Sequence, residues 1–252
     1  MKNKKKTRIK YFGVIFFIFI LVGFVAQAQA DGLDDVKARG KILLGIAPGA
    51  PGFSSTDNEG RRVGFDIDFC HAISAAVLGD PNKVQLTPVT GKEAFPSLKA
   101  GSLDALVHRF TWTLSRDAGS MNYTRVYVYD GQGFLVRKDS GVKKITDLDG
   151  AVICISQGST SEQNAMDYFR KNNIKFEGLA FKGNEQSFTA YAAKRCDAMT
   201  TDSFGLAAHS QKLPDPENHM ILPERISKEP IGPLVANGED RLGDAIRWTI
   251  NA

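Results

Sequence analysis

Two threonines and an arginine stand close together in the run Phe110-Thr111-Trp112-Thr113-Leu114-Ser115-Arg116-Asp117. Side chains of these types at this spacing share one turn, where hydroxyls and backbone N–H groups lie beside a planar guanidinium able to grip a carboxylate through two parallel hydrogen bonds. That is binding chemistry. The same run also reads as a plain helix start, with Thr111 or Thr113 as the cap and Arg116 solvated on the first turn. A second candidate is Gln157-Gly158-Ser159-Thr160-Ser161-Glu162-Gln163, which opens a helical pattern. Ser159 and Glu162 have capping-box spacing, Gly158 lets backbone approach a ligand, and the free N–H groups of the first turn attract an anion. A capped helix and nothing more accounts for it equally well. Thr201-Asp202 ends a strand-like stretch, and a carboxylate there suits an ammonium group; a surface or capping aspartate is the alternative. Phe53 ends the turn-rich Ala47-Pro48-Gly49-Ala50-Pro51-Gly52-Phe53, where it packs on an apolar part of a ligand or covers a sheet edge.

The elements that must position these groups alternate along the chain. A short helix over 31–39 stopped by Gly40 precedes a strand over 41–46. An apolar helix over 69–78 ends at Gly79, and a strand over 84–88, a helix over 92–100 and a strand over 103–107 follow. Later come a strand over 151–155, a helix through Arg170, a strand over 176–181, a helix over 184–193 and a strand over 196–200. Strands alternating with helices predict doubly wound α/β architecture, with sites at the carboxyl ends of the strands, where Thr111 to Arg116 and Asp202 fall.

Composition narrows the class. Residues 1–30 hold six Lys or Arg and no acid, then an apolar run from Tyr11 to Val25 and the small-x-small end Ala28-Gln29-Ala30, which reads as a cleaved secretory signal. The remaining chain has 26 bases against 28 acids, so the formal charge of +4 comes from the leader, and no nucleic-acid surface is implied. Past the signal nothing is apolar enough to span a bilayer. Export makes a disulfide between Cys154 and Cys196 reasonable, both in strand-like segments of one half, and leaves Cys70 over. No CxxC or HxxxH spacing exists and His71, His108, His209 and His219 are scattered, so neither a metal site nor a cofactor is expected.

Four runs carry a family resemblance: Gly64-Phe65-Asp66-Ile67-Asp68, Thr111 to Asp117, Tyr129-Asp130-Gly131-Gln132-Gly133-Phe134-Leu135-Val136, and Ile226-Ser227-Lys228-Glu229-Pro230-Ile231-Gly232-Pro233. In order, they resemble the periplasmic solute-binding proteins of polar and general L-amino-acid ABC importers (bacterial extracellular solute-binding protein family 3), over most of residues 31–248. The resemblance implies a periplasmic-binding-protein-like fold of two doubly wound α/β lobes joined by a two-strand hinge and closing over ligand. It places lobe I at 31–132, the first hinge strand at 133–137, lobe II at 138–225, and a return to lobe I at 226–252. It implies a monomer in the periplasm that captures an L-amino acid and delivers it to an inner-membrane ABC permease. Arg116 and the Thr111 and Thr160 N–H groups would hold the α-carboxylate; Asp202 and the Thr111 hydroxyl would hold the α-ammonium.

The chain departs from the family pattern in three places. Arg109 and Phe110 stand where the family shows small polar residues, Asn and Thr, so a second guanidinium beside the pocket either selects acidic side chains or points away. A cysteine often found near position 44 in the family, where it would pair with Cys70, is replaced by Leu44 here. The helical pattern at Arg247-Trp248-Thr249-Ile250-Asn251-Ala252 stops where the family continues, as a truncated chain would. Two rival functions share the fold: an exported hydro-lyase acting on a cyclic carboxylic acid, and a binding lobe feeding a sensor. The hydro-lyase lacks a readable nucleophile–base pair, and no signalling segment follows for the sensor.

Overall fold

Capping side chains and left-handed glycines mark out the elements of a computed structural model that describes residues 31–252; the expected signal segment, 1–30, lies outside the described residues. Lobe I begins with α1 (Gly32–Arg39), capped by the Asp31 side chain and stopped by Gly40 at φ 68°. It continues through β1 (Ile42–Ile46), the short hairpin β2 (Ser55–Thr56) and β3 (Arg62–Val63), α2 (Phe65–Leu78), β4 (Val84–Pro88), α3 (Gly91–Lys99), β5 (Ala105–Val107), α4 (Leu114–Asp117) and β6 (Met121–Tyr123). Helix α2 starts four residues before the expected Phe69, because Gly64 at φ 123° turns the chain straight into it. A Cβ at Gly64 would lie 2.5 Å from the Phe53 carbonyl oxygen, so the turn needs glycine.

After β7 (Val128–Asp130), lobe II is built from β8 (Gln132–Arg137), β9 (Ala151–Ser156), α5 (Thr160–Lys171), β10 (Phe176–Phe181), α6 (Asn184–Ala192), β11 (Ala198–Asp202), α7 (Ser203–Ser210) and β12 (His219–Ile221). The chain then runs through β13 (Glu229–Ile231), β14 (Leu234–Ala236) and α8 (Asp240–Asn251).

Two five-stranded mixed sheets result, ordered β4-β1-β5-β14-β6 and β10-β9-β11-β8-β12. In each, the strands linked through helices are parallel and the strands entering or leaving by a crossing are antiparallel. The expected first hinge strand, 133–137, is corrected by this topology. β8 is a buried strand of the second sheet, paired with β11 on one side and β12 on the other. The ribbon between the sheets is β7 paired with β13, Val128 opposite Ile231 and Asp130 opposite Glu229. An apolar run such as Phe134-Leu135-Val136 fits a core strand, since it must be covered on both faces.

Each lobe has its own core. Val36, Leu44, Ile67, Cys70 and Ile73 pack with Leu242 and Ile246 of α8 in the first, and Phe134, Ile153, Phe169, Ala198 and Leu222 form much of the second. The return of α8 therefore seals lobe I. Cys154 and Cys196 are bonded, with Cα atoms 5.7 Å apart, and Cys70 is free and buried, as expected. Cys196 precedes β11, which starts at Ala198 and ends on Asp202 itself.

Candidate functional site

The loop leaving the carboxyl end of β5 carries most of the lobe I candidates and is pinned to the crossing ribbon. Thr111 bridges Ile231, and the Trp112 N–H donates to the Pro230 carbonyl at 2.7 Å. Of the plain helix-start reading, the cap is present and the solvated arginine is not. Thr113 caps α4, accepting from the Arg116 N–H at 3.3 Å, while the Arg116 side chain turns back instead of lying solvated. Its Nη1 donates to the Thr111 carbonyl at 2.8 Å, and its guanidinium carbon sits 5.2 and 5.3 Å from the Phe110 and Phe95 ring centres. With one donor committed and its faces against rings, the fork keeps further N–H groups for a carboxylate.

Thr111 is buried, and its hydroxyl donates to Glu229 Oε2 at 3.2 Å. Across the cleft its oxygen lies 3.5 Å from the Thr160 hydroxyl. Thr160 is the first residue of α5, whose cap Ser159 accepts from the Glu162 N–H at 3.1 Å. The expected capping box closes one residue early, because the Glu162 carboxylate takes the Gly158 N–H at 2.7 Å. Beneath, Gln132 donates to the Ser161 carbonyl at 2.9 Å and to the Thr200 hydroxyl at 2.8 Å, fixing the helix start to the sheet.

Asp202, at the end of β11, faces lobe I, where Arg109 Nη1 lies 3.4 Å from its Oδ2. Arg109 is the site's strained residue, at φ 57°. Thr111, Arg116, Thr160, Asp202 and Arg109 all line one cavity of about 210 Å³ between the lobes, joined there by His108 and Lys182. Phe53 does not line it. Its ring packs against Phe65, Phe204 and the Arg109 guanidinium, 4.8 Å from the last, so it supports the arginine from behind.

The charge state follows from burial. Burial pushes the His108 pKa down to about 4, and because a carbonyl can only accept, its Nε2 donates to the Val89 oxygen at 2.7 Å. Glu229 was not singled out from sequence as a site residue. It is 1% exposed, and burial and the Asp202 charge raise its pKa to about 7. It accepts from Thr111, from the Ser227 hydroxyl at 2.7 Å and from Asn164 at 3.4 Å. Its one sequence signal is an acid placed directly before the apolar Pro230-Ile231-Gly232-Pro233 run. Asp66, behind Arg109, is likewise raised to about 7, chiefly by burial and against the pull of that guanidinium. Among the described residues no cluster of three or more His, Cys, Asp or Glu is placed to hold a metal, and no helix is long and apolar enough to cross a membrane. The arrangement suits a small zwitterion: a guanidinium and helix-start N–H groups at one end, a carboxylate at the other.

Comparison with known proteins points to one family. The family model for bacterial extracellular solute-binding proteins, family 3, matches residues 42–252. The general L-amino acid-binding periplasmic protein AapJ of Rhizobium johnstonii is 44% identical over 92% of this chain and 69% of its own length. The glutamate/glutamine/aspartate/asparagine-binding protein BztA of Rhodobacter capsulatus is 43% identical over 96% and 71%. Among solved structures, a periplasmic binding protein of an ABC transporter from Brucella ovis with glutathione bound superposes with a TM-score of 0.84 at 42% identity, covering 88% of this chain and 70% of that one.

Proposed function

The chain belongs to the bacterial extracellular solute-binding proteins, family 3, and from that we propose that it captures L-α-amino acids between its lobes in the periplasm and presents them to an inner-membrane ABC permease. The observation that carries the reading is that Arg116, the start of α5 and Asp202 all line one cavity. An α-carboxylate meets the Arg116 fork and the Thr160 N–H, and an α-ammonium meets Asp202. The Thr111 hydroxyl, its proton already given to Glu229, accepts from the same ammonium. Groups from both lobes are then satisfied together only when the lobes are closed, so ligand draws the equilibrium to that state.

The names of AapJ and BztA support the ligand class. The glutathione in the Brucella ovis protein fits it as well, since a γ-glutamyl end carries the same α-carboxylate and α-ammonium. Binding without chemistry is the reading for Glu229 too. A carboxyl raised to about 7 resembles a general acid, yet Glu229 is engaged by Thr111, Ser227 and Asn164 and does not line the cavity, which argues against the hydro-lyase. Replacing Arg116 by Ala tests the assignment. Titration calorimetry with L-glutamine is expected to show affinity lowered about 100-fold or more, the cost of stripping one partner from a desolvated charge pair, while the cooperative melt is kept. A folded Arg116→Ala protein of undiminished affinity contradicts it.

A further inference from the structure

Arg109 reaches across the cleft to the carboxylate assigned above to the ligand's ammonium. Its Nη1 is 3.4 Å from Asp202 Oδ2, and the two side chains are 8% and 13% exposed. The guanidinium lies against Phe53 at 4.8 Å, and its Nε is buried without a partner. The contact is thus a desolvated ion pair between lobes, made long and by one donor, inside the binding cavity.

A guanidinium and an α-ammonium are both cationic N–H donors, and each satisfies a buried carboxylate in the same way. We infer that Arg109 competes with the ligand's α-ammonium group for Asp202, which makes it a specificity-determining residue. The inference rests on the amino-acid reading and deepens it. A ligand bearing an α-ammonium gains a contact with Asp202 but gives up the Arg109–Asp202 pair, so the net gain from its amino group is small. A ligand that lacks the group leaves the pair intact and still uses Arg116 and the α5 start. This chain therefore discriminates weakly between an α-amino acid and the matching acid without the amino group.

Two other roles for Arg109 give the opposite outcome on removal. Were it to hold Asp202 in place for the ligand, or to reach an acidic ligand side chain, its loss would weaken binding. The backbone supplies a clean variant: φ 57° suits asparagine and glycine, so Arg109→Asn and Arg109→Gly remove the guanidinium without adding strain.

The test is titration calorimetry on the parent, both Arg109 variants, Asp202→Asn and the Arg109→Asn/Asp202→Asn pair. The probes are L-glutamine with glutaramate, its counterpart without the α-amino group, and L-alanine with propionate. Removing Arg109 is expected to tighten both amino acids about tenfold or more while the deaminated acids stay within about threefold. In the Asp202→Asn background the tightening is expected to vanish, because the competition needs the carboxylate. Amino acids bound by the parent and bound no tighter by either Arg109 variant overturn the competition and leave the amino-acid reading standing. No binding of either amino acid by the parent or by cooperatively melting Arg109 variants defeats that reading and the competition with it.

Discussion

Thr111 has its hydroxyl proton committed to a buried carboxylate, so Glu229 sets the direction in which that oxygen can accept. Burial and the Asp202 charge lift Glu229 to about 7 from the ordinary 4.5. A carboxyl raised in this way binds its proton more tightly folded than unfolded. Between about pH 4.5 and 7 it therefore costs the folded state progressively more as pH rises. His108 and His209, both pushed down to about 4 mainly by burial, act in the opposite sense between 4 and 6.5, which makes a comparison with the parent the informative one. The melting midpoint of Glu229→Gln, minus that of the parent, is expected to rise steadily from about pH 4.5 to about pH 8. A difference flat across that window contradicts a carboxyl that ionises there. At this scale Thr111, Arg116, Thr160 and Asp202 stood out in the sequence by their types and their places after strands, with their roles implied by the resemblance, and the structure brings all four to one cavity. Glu229 did not, since what makes it part of the site is Thr111, 118 residues away in the chain. Arg109 was visible as an odd residue, but its partner depends on how the lobes face each other. Phe53, read as packing on an apolar part of a ligand or as covering a sheet edge, does not line the cavity and stands against Arg109.

Helices and strands were mostly legible from periodicity and stop signals, and β4 and β10 fall on the expected residues. The error lay in which sheet a strand joins. An apolar six-residue run reads alike as a crossing or as a core strand, and only the pairing of β8 with β11 and β12 decides it. The short ribbon of β7 and β13, three residues each, carries no periodic signal of its own. It holds Glu229, adjoins the Thr111 bridge and connects the sheets, so the hinge and the ligand loop share backbone contacts. In lobe II the bond between Cys154 and Cys196 ties strand β9 to the turn before β11, across a sequence separation of 42. Replacing both cysteines by Ser is expected to lower stability by about 2–4 kcal/mol through the freer unfolded chain and the lost packing of two buried side chains. Denaturant unfolding measures it; a variant as stable as the parent contradicts a structural role for the bond.

At the scale of the molecule, two sheets with separate cores meet at one cavity whose lining comes from both. On the proposed assignment such a site would convert ligand binding into closure, because Arg116 and the helix start of α5 belong to different lobes. This level was legible only through the resemblance carried by several linked runs; residue patterns in a single lobe specify doubly wound architecture and no more. The choice among amino acids remains a property of the whole cavity, whose lining includes the cations Arg109, Arg116 and Lys182 and the carboxylates Asp202 and Glu185.

The measurement that bears most directly on amino-acid capture is a thermal-shift screen of the protein against the twenty L-amino acids, glutathione and the deaminated acids used above. A ligand present at 100 times its dissociation constant adds about 2.7 kcal/mol, or about 5–10 °C for a chain of this size. Midpoints raised by one or more L-amino acids in the parent and not in Arg116→Ala are the expected result. A cooperative melt that no L-amino acid shifts would contradict the assignment of this cleft.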